Sequence, residues 1–396
     1  MSSGRLLHCR RTTWRGRAAY TLGNGILRLT TLTGGGHVAE LRLERPNGLS
    51  VNPLWSPPWA TIDPHTYREP RHRRRYGSLI EGRLLSGIAG HSLCLDYFGI
   101  PSAEEVRHGL SLHGEAPSRR WRATRVSRTA NRVTCELRTQ LPVAGLEFRR
   151  TITLRPGEQV AYFEETVRNT RKADHFFHWT QHVTLGPPFL AHGDTQIALP
   201  GTRGLTFPHG YDEGKALLAS NREFQWPDAP RADGSVADLT QTLIEPGLGF
   251  VVGVLLADRE VAFVAALNRT HRLMLGYCFR RADFPWVAIW EEHRAISAPP
   301  WKGRTEARGL EFGTTPLPVT RREAFLASRL FEEPTMACVP ASGRKSIRYL
   351  AFLTDVPTDF GTIRDIAVDD RGVRVLDDAG RSVAVRSAGL GGLLAP

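Results

Sequence analysis

The stretch Leu146-Glu-Phe-Arg-Arg-Thr-Ile-Thr-Leu154-Arg-Pro-Gly-Glu158-Gln-Val160-Ala-Tyr-Phe-Glu-Glu-Thr-Val-Arg168 decides the fold class. Its two halves carry apolar residues at a spacing of two, the period of a strand with one buried face, and they are rich in Thr, Ile, Val and aromatic residues. Between them Arg155-Pro-Gly-Glu158 is a turn signal, because Pro presets one backbone angle and Gly accepts another that other residues resist. The segment is expected to be an antiparallel hairpin.

The same texture runs outward in both directions. Val133-Thr-Cys-Glu-Leu-Arg-Thr139 precedes it and Ile347-Arg-Tyr-Leu-Ala-Phe-Leu353 lies far downstream, while long helical stripes are scarce. Many short strands over most of the chain predict an all-β fold, one large antiparallel sandwich rather than an alternating α/β fold. No dinucleotide-binding glycine fingerprint or P-loop appears, so no nucleotide cofactor is expected. No repeat of 20 to 50 residues is visible. Residues 1–354 are read as the sandwich domain, and residues 355–396 as a short extension with strands such as Val373-Arg-Val-Leu376 and a frayed tail, Gly389–Pro396.

With 396 residues, 41% of them hydrophobic and 23% charged, the chain can bury a large core. The 52 Lys+Arg against 40 Asp+Glu leave a net charge of +12, compatible with anionic ligands or simply a basic surface. The densest basic run, Arg68-Glu-Pro-Arg-His-Arg-Arg-Arg75, is read as a solvated loop. No helix-turn-helix, zinc-finger spacing or RNA-binding aromatic signature accompanies it, so nucleic acid is not an expected partner. Five cysteines without a CxxC pair imply reduced thiols. The N-terminus lacks the apolar stretch of a secretory signal, and no run approaches a membrane span, so a cytoplasmic protein without membrane attachment is expected.

Chemistry is suggested by three separate segments: Leu112-His113-Gly114-Glu115, His178-Trp179-Thr180-Gln181-His182 and Leu310-Glu311-Phe312-Gly313. Imidazole and carboxylate are the side chains best suited to moving protons near neutral pH. A cleft gathering the three would need no cofactor. His178 and His182, four apart in a strand, would face the same way. Such a pair could join a metal site, but the helical HExxH pattern is absent, and no metal is expected.

These residues, taken with Asn24-Gly-Ile-Leu-Arg-Leu, Gly34-Gly-Gly-His-Val-Ala-Glu40 and Trp121, occur in an order that resembles aldose 1-epimerases and the wider galactose-mutarotase-like superfamily, over roughly residues 20–354. The resemblance implies a β-supersandwich that presents a sugar in an open cleft. It further implies His182 as general acid, since Gln181-His182 stands where the family has Asn-His, with His113 as the second histidine and Glu311 as general base. Trp55, Trp59 and Trp290, with Trp286 and Trp301 nearby, are candidates for a sugar platform, placed in loops by their Pro-rich surroundings. The family's sugar-binding aspartate and arginine have no motif match; Glu291 or Glu292, and Arg119 or Arg120, are the candidates for those roles, and His178 is a further candidate contact. The segment Asn52–Tyr76 and the extension after Asp355 mark a divergent branch with its own ligand. The expected activity is interconversion of the anomers of an aldose or sugar phosphate. A sugar-binding protein on the same scaffold, or a lyase or hydrolase acting on an acidic glycan, are the alternatives. Neither the sugar nor the oligomeric state can be read from the sequence.

Overall fold

The computed structural model describes residues 7–212 and 214–387. The tail Gly389–Pro396 lies outside the described residues.

The expected hairpin is present: strands Leu146–Leu154 and Val160–Asn169 pair antiparallel, with Ala161 opposite Leu154 and Gly157 at φ +72° in the connecting turn. Its outer neighbours are Val133–Leu141 and Arg344–Asp355. Together they belong to an eight-stranded antiparallel sheet. A fourteen-stranded sheet faces it, and at the centre of that sheet the strands His91–Cys94, Thr180–Leu185, Glu306–Gly313, Trp286–His293 and Leu248–Leu256 lie side by side. The two sheets make the all-β supersandwich that the alternation predicts.

The sandwich interior is apolar but not wholly so. Phe148, Ile152, Phe163 and Val167 of the smaller sheet meet Val183, Val287, Ile289, Leu310 and Phe312 of the larger one in one continuous core. In the middle sits an ion pair with both side chains fully buried, Arg150 Nε to Glu165 Oε1 at 2.6 Å. Glu165 also accepts from Trp179 Nε1 at 3.0 Å, Gln181 Nε2 at 2.7 Å and the Tyr349 hydroxyl at 2.8 Å. Arg150 donates to the Gly36 carbonyl at 2.8 Å, and His91 Nε2 lies 2.9 Å from Gln181 Oε1. A buried carboxylate is tolerated only when its lone pairs are occupied in this way.

Two additions flank the sandwich. After Asp355, strands Ile363–Asp369, Gly372–Asp377 and Ser382–Val385 form a three-stranded sheet, and its Ile366, Val373, Val375 and Val385 pack on Val160, Tyr162, Leu350 and Phe352 from the outer side of the eight-stranded sheet. The chain between Leu49 and Arg122 mostly leaves the sheets. It forms helices Glu69–Tyr76, Leu79–Leu85 and Ala103–Arg107 and covers the outer face of the larger sheet, where Trp55, Trp59, Tyr67, Tyr76 and Leu84 pack with Ala307, Trp290 and Trp301.

The run Arg68–Arg75, expected to be a loop, is largely helical. Pro70 is acceptable in the first turn, where its missing N–H has no intrahelical partner to lose, and Arg73, Arg74 and Arg75 fall in the last turn, where cations meet the negative end of the helix dipole. Tyr76 anchors it, buried, with its hydroxyl donating to the Ala60 carbonyl at 2.8 Å. Tertiary burial of one residue outweighs the poor local pattern. No helix among the described residues is long and apolar enough to cross a membrane.

Because removing one partner strands the other charge in the core, Glu165→Ala is expected to lower stability by about 3–5 kcal/mol in urea denaturation. The double replacement Arg150→Met with Glu165→Leu should recover most of that loss. A double variant as unstable as the single one would mean that the hydrogen bonds from Trp179, Gln181 and Tyr349, rather than the pair, hold the interior.

Candidate functional site

Strand pairing sets His182 directly opposite Glu311 on one side and Ser92 on the other, while Glu311 lies opposite Ala288. Directly paired residues share a sheet face, and the period of two adds Thr180, Thr184, Gly309 and Trp290 to it. This is the face turned away from the sandwich interior. His182 Nε2 is 3.2 Å from Glu311 Oε1, and His182 Nδ1 is 3.0 Å from Thr184 Oγ1. Gly309 makes room for the carboxyl group, since a Cβ there would stand 2.2 Å from Glu311 Oε1.

His113 arrives from the covering segment. Its backbone is in the left-handed region at φ +64°, with its N–H donating to the Gly99 carbonyl at 3.1 Å. Its ring stacks on Phe98 with centroids 5.1 Å apart and lies 5.2 Å from the His182 ring. Three residues separated by 69 and 129 positions in sequence are thus in one place. Trp290 stands 6.2 Å from His182, half-buried, its Nε1 donating to the Tyr211 hydroxyl at 3.0 Å, and Tyr211 in turn donates to Glu292 Oε2 at 2.6 Å.

The site is dry. His182 is 5% exposed and Glu311 2%. Burial depresses the His182 imidazole to about 4 and pushes the Glu311 carboxyl well up, and burial together with the neighbouring His182 holds His113 well below the usual histidine range. Both shifts favour the uncharged forms of His182 and Glu311. An apolar cover penalises the charged form of each group, which works against an ion pair of ionised glutamate and protonated histidine in the closed site.

Four polar atoms around this pair have no hydrogen-bond partner among the described residues: Glu311 Oε1, Ser92 Oγ, Thr180 Oγ1 and His113 Nδ1. The 3.2 Å approach of Glu311 to His182 is off line for a hydrogen bond. Buried polar groups in native proteins are nearly always paired, so four such atoms at one spot make it a candidate for contact with the polar atoms of a ligand. Their chemistry, two hydroxyls, a carboxyl oxygen and an imidazole nitrogen, suits a polyhydroxylated molecule. Ser92 and Thr180 escaped sequence reading because a lone hydroxyl in a strand has no signature; only the cross-strand register reveals them.

The other sequence candidates are placed differently. Trp55 and Trp59 are not an open platform: both are buried, with Trp55 stacked on Trp301 at 6.3 Å and Trp59 Nε1 donating to the Leu85 carbonyl at 2.9 Å. Trp286 and Trp290 belong to a strand rather than a loop. Glu291 points into the sandwich, where it pairs with the fully buried Arg308 and accepts from the Ile244 N–H at 2.7 Å, so it is committed to the core. Its neighbour Glu292 lies on the site face, engaged by Tyr211 and by the Ile296 N–H at 2.9 Å. His178 does not continue the strand of His182; the chain breaks between strands His175–Phe177 and Thr180–Leu185, and His178 stacks on Tyr97 at 4.7 Å while its Nδ1 accepts from the Phe98 N–H at 3.2 Å. Arg119 and Arg120 line a separate arginine-rich cleft that neither His182 nor Glu311 lines.

No family profile matches this chain, and no curated protein is similar enough to match. Solved structures do match. A proposed aldose 1-epimerase from Klebsiella pneumoniae superposes with a TM-score of 0.60 at 15% identity, over 85% of this chain and 79% of that one. A galactose mutarotase-like protein from Clostridium acetobutylicum gives 0.59 at 10% identity, over 89% and 100%. A galactose mutarotase related enzyme from Lactobacillus acidophilus gives 0.52 at 12% identity, over 86% and 98%. The chain has the galactose-mutarotase-like fold. Sequence similarity at this level extends the likeness to the architecture and no further.

The buried histidines tie stability to pH. His182 is depressed to about 4, and His91 and His178 to about 3, each chiefly by burial. A depressed histidine stabilises the fold above its unfolded value near 6.5 and loses that contribution as pH falls through the window down to its folded value. Each should steepen the fall by about 1.4 kcal/mol per pH unit. Glu311, raised, acts in the opposite sense, stabilising below the ordinary carboxyl range and losing that contribution as pH rises. Stability measured in urea from pH 6.5 to 4 is therefore expected to fall steeply, and His182→Asn to reduce the slope by one proton's worth. An unchanged slope in that variant would show that His182 titrates normally.

Proposed function

We propose that the protein is a divergent, cofactor-independent carbohydrate epimerase of the mutarotase type, interconverting the anomers of an aldose or sugar phosphate. The observation that carries this reading is the His182–Glu311 pair at 3.2 Å with unpartnered polar atoms of Ser92, Thr180 and His113 around it. The names of the structural neighbours are consistent with it.

Anomer exchange requires the C1 hydroxyl to lose a proton while the ring oxygen gains one, so that the C1–O5 bond breaks and the C1 carbonyl forms. In the proposed cycle neutral His182 takes the hydroxyl proton at Nε2 as protonated Glu311 gives its own to the ring oxygen. After rotation about C1–C2 the opposite transfers close the ring on the other face of the carbonyl. Glu311 regains its proton and His182 becomes neutral again. By reversibility each group serves as both acid and base, so the assignment of acid to His182 and base to Glu311 that the resemblance implies describes one half of the cycle. His113, kept neutral by burial, would hydrogen-bond a sugar hydroxyl, and Trp290 would offer a ring face to the apolar side of the pyranose. In this cycle the sugar lies over the pair on the outer face of the sheet, and because both members are almost fully buried the covering segment that carries His113 moves aside to admit it. A non-catalytic sugar-binding protein on the same scaffold is the alternative, and turnover separates the two.

Polarimetry or exchange NMR over a panel of free and phosphorylated aldoses is expected to show catalysed anomerisation. Glu311→Gln and His182→Ala should each lower kcat by about 10²- to 10⁴-fold with little change in sugar affinity, and their combination should cost far less than the product. The kcat/KM profile should lose its acid limb near pH 4, where His182 takes up a second proton, rather than near 6.5, and lose its basic limb where Glu311 finally ionises. Sugar binding without any catalysis would establish the binding protein instead.

A further inference from the structure

The outer face of the eight-stranded sheet carries a cleft of about 1050 Å³ lined by nine arginines and one carboxylate, Glu147. Most of its floor comes from strands Arg122–Arg128, Val133–Leu141, Leu146–Leu154 and Val160–Asn169, and the covering segment supplies a wall with Arg68, Arg83 and Arg119. Three of the arginines form a ladder. Arg122 is paired directly with Arg138, and Arg138 with Arg149, so three guanidinium side chains stand abreast across three adjacent strands.

Like charges directly opposite one another in an antiparallel sheet destabilise it. Partial compensation is present: Glu136 lies 2.9 Å from Arg138 and 3.9 Å from Arg149, Glu164 lies 3.6 Å from Arg149, and Arg168 meets Glu147 at 3.1 Å. Arg120, Arg122 and Arg344 have no ion pair among the described residues. Guanidinium groups in excess of their carboxylates, gathered in a concavity, are the arrangement that captures a molecule carrying several anionic groups.

We infer that this cleft is a binding site for an anionic oligosaccharide, one bearing carboxylate or sulfate groups along its length. The polar residues between the arginines, Ser118, Thr124, Thr139, Gln140 and Thr166, are hydroxyl and amide groups able to meet sugar hydroxyls. Single-stranded nucleic acid is the competing polyanion, but it draws much of its affinity from bases stacked on exposed aromatic rings. Of the two rings in the lining, Phe148 is buried in the core and His65 is half-buried, so no row of exposed rings is offered to bases. The inference does not rest on the reading of the His182 site, which shares none of these residues.

The test is titration calorimetry of the full chain with oligogalacturonate and with a heparin-derived hexasaccharide, beside a neutral maltohexaose and a short single-stranded DNA. At least one acidic oligosaccharide should bind, with affinity falling as salt rises, and the neutral one should not. Replacing Arg122, Arg138 and Arg149 together by Gln should weaken that binding by about ten- to a hundredfold while leaving the melting temperature equal or higher, since a repulsive ladder is removed. Arg73→Gln, Arg74→Gln and Arg75→Gln together remove the same charge from a helix outside the cleft and should leave binding nearly intact. The inference is overturned if neither acidic oligosaccharide binds, if both triple variants weaken binding equally, or if the DNA binds more tightly than either oligosaccharide. A triple ladder variant that melts markedly lower would overturn it too, because the arginines would then be structural.

Discussion

The buried pair of Arg150 and Glu165 is the constraint on which the rest of the molecule depends. Two charges between two apolar sheets are stable only if every remaining lone pair and N–H finds a partner, and here those partners come from both sheets. Gln181 is one of them, held at once by Glu165 and His91. With Gln181 fixed inward, the strand Thr180–Leu185 cannot slip by one residue, because a slip would turn every side chain to the opposite face. His182 must then point outward. The site on the outer face is registered by a polar network on the inner one.

The covering segment completes that site and changes its chemistry. Trp55, Trp59, Tyr67 and Tyr76 spend their apolar surface on packing the cover against the sheet rather than on an exposed platform. Under the cover, water no longer stabilises either charged form, which lowers the histidine's basicity and raises the carboxyl group's hold on its proton. Four unpartnered polar atoms are a cost to the folded state, offset elsewhere by a large core, and such costs gather where a ligand is handled.

Part of the basic charge is gathered in one place. Nine of the chain's arginines line one cleft on the sheet that does not carry the histidines. The covering segment touches both places, with His113 over one and Arg68, Arg83 and Arg119 beside the other. Basic charge in sequence pointed first to Arg68–Arg75, yet only Arg68 of that run reaches the cleft. Arg122, Arg138, Arg149, Arg168 and Arg344 of the cleft lie on strands, where alternation disperses them among other residue types in the sequence.

Alternating Phe148, Arg150 and Ile152, the turn at Pro156-Gly157 and the scarcity of helical periodicity determined the all-β sandwich by themselves, because strand period and turn chemistry are local properties. The order of His113, His182 and Glu311 was equally legible, since imidazole and carboxylate beside turn or apolar residues stand out in any sequence. What tertiary structure alone decided was which of the acidic candidates faces the site and which faces the core. Glu291 and Glu292 are adjacent and chemically alike, yet one is locked to Arg308 between the sheets and the other reaches Tyr211 on the outer face. The same holds for Arg150, indistinguishable in sequence from its exposed neighbour Arg149, and for the orphaned hydroxyls of Ser92 and Thr180. Facing is set by cross-strand register and proton position by burial, and both depend on contacts between residues tens to hundreds of positions apart.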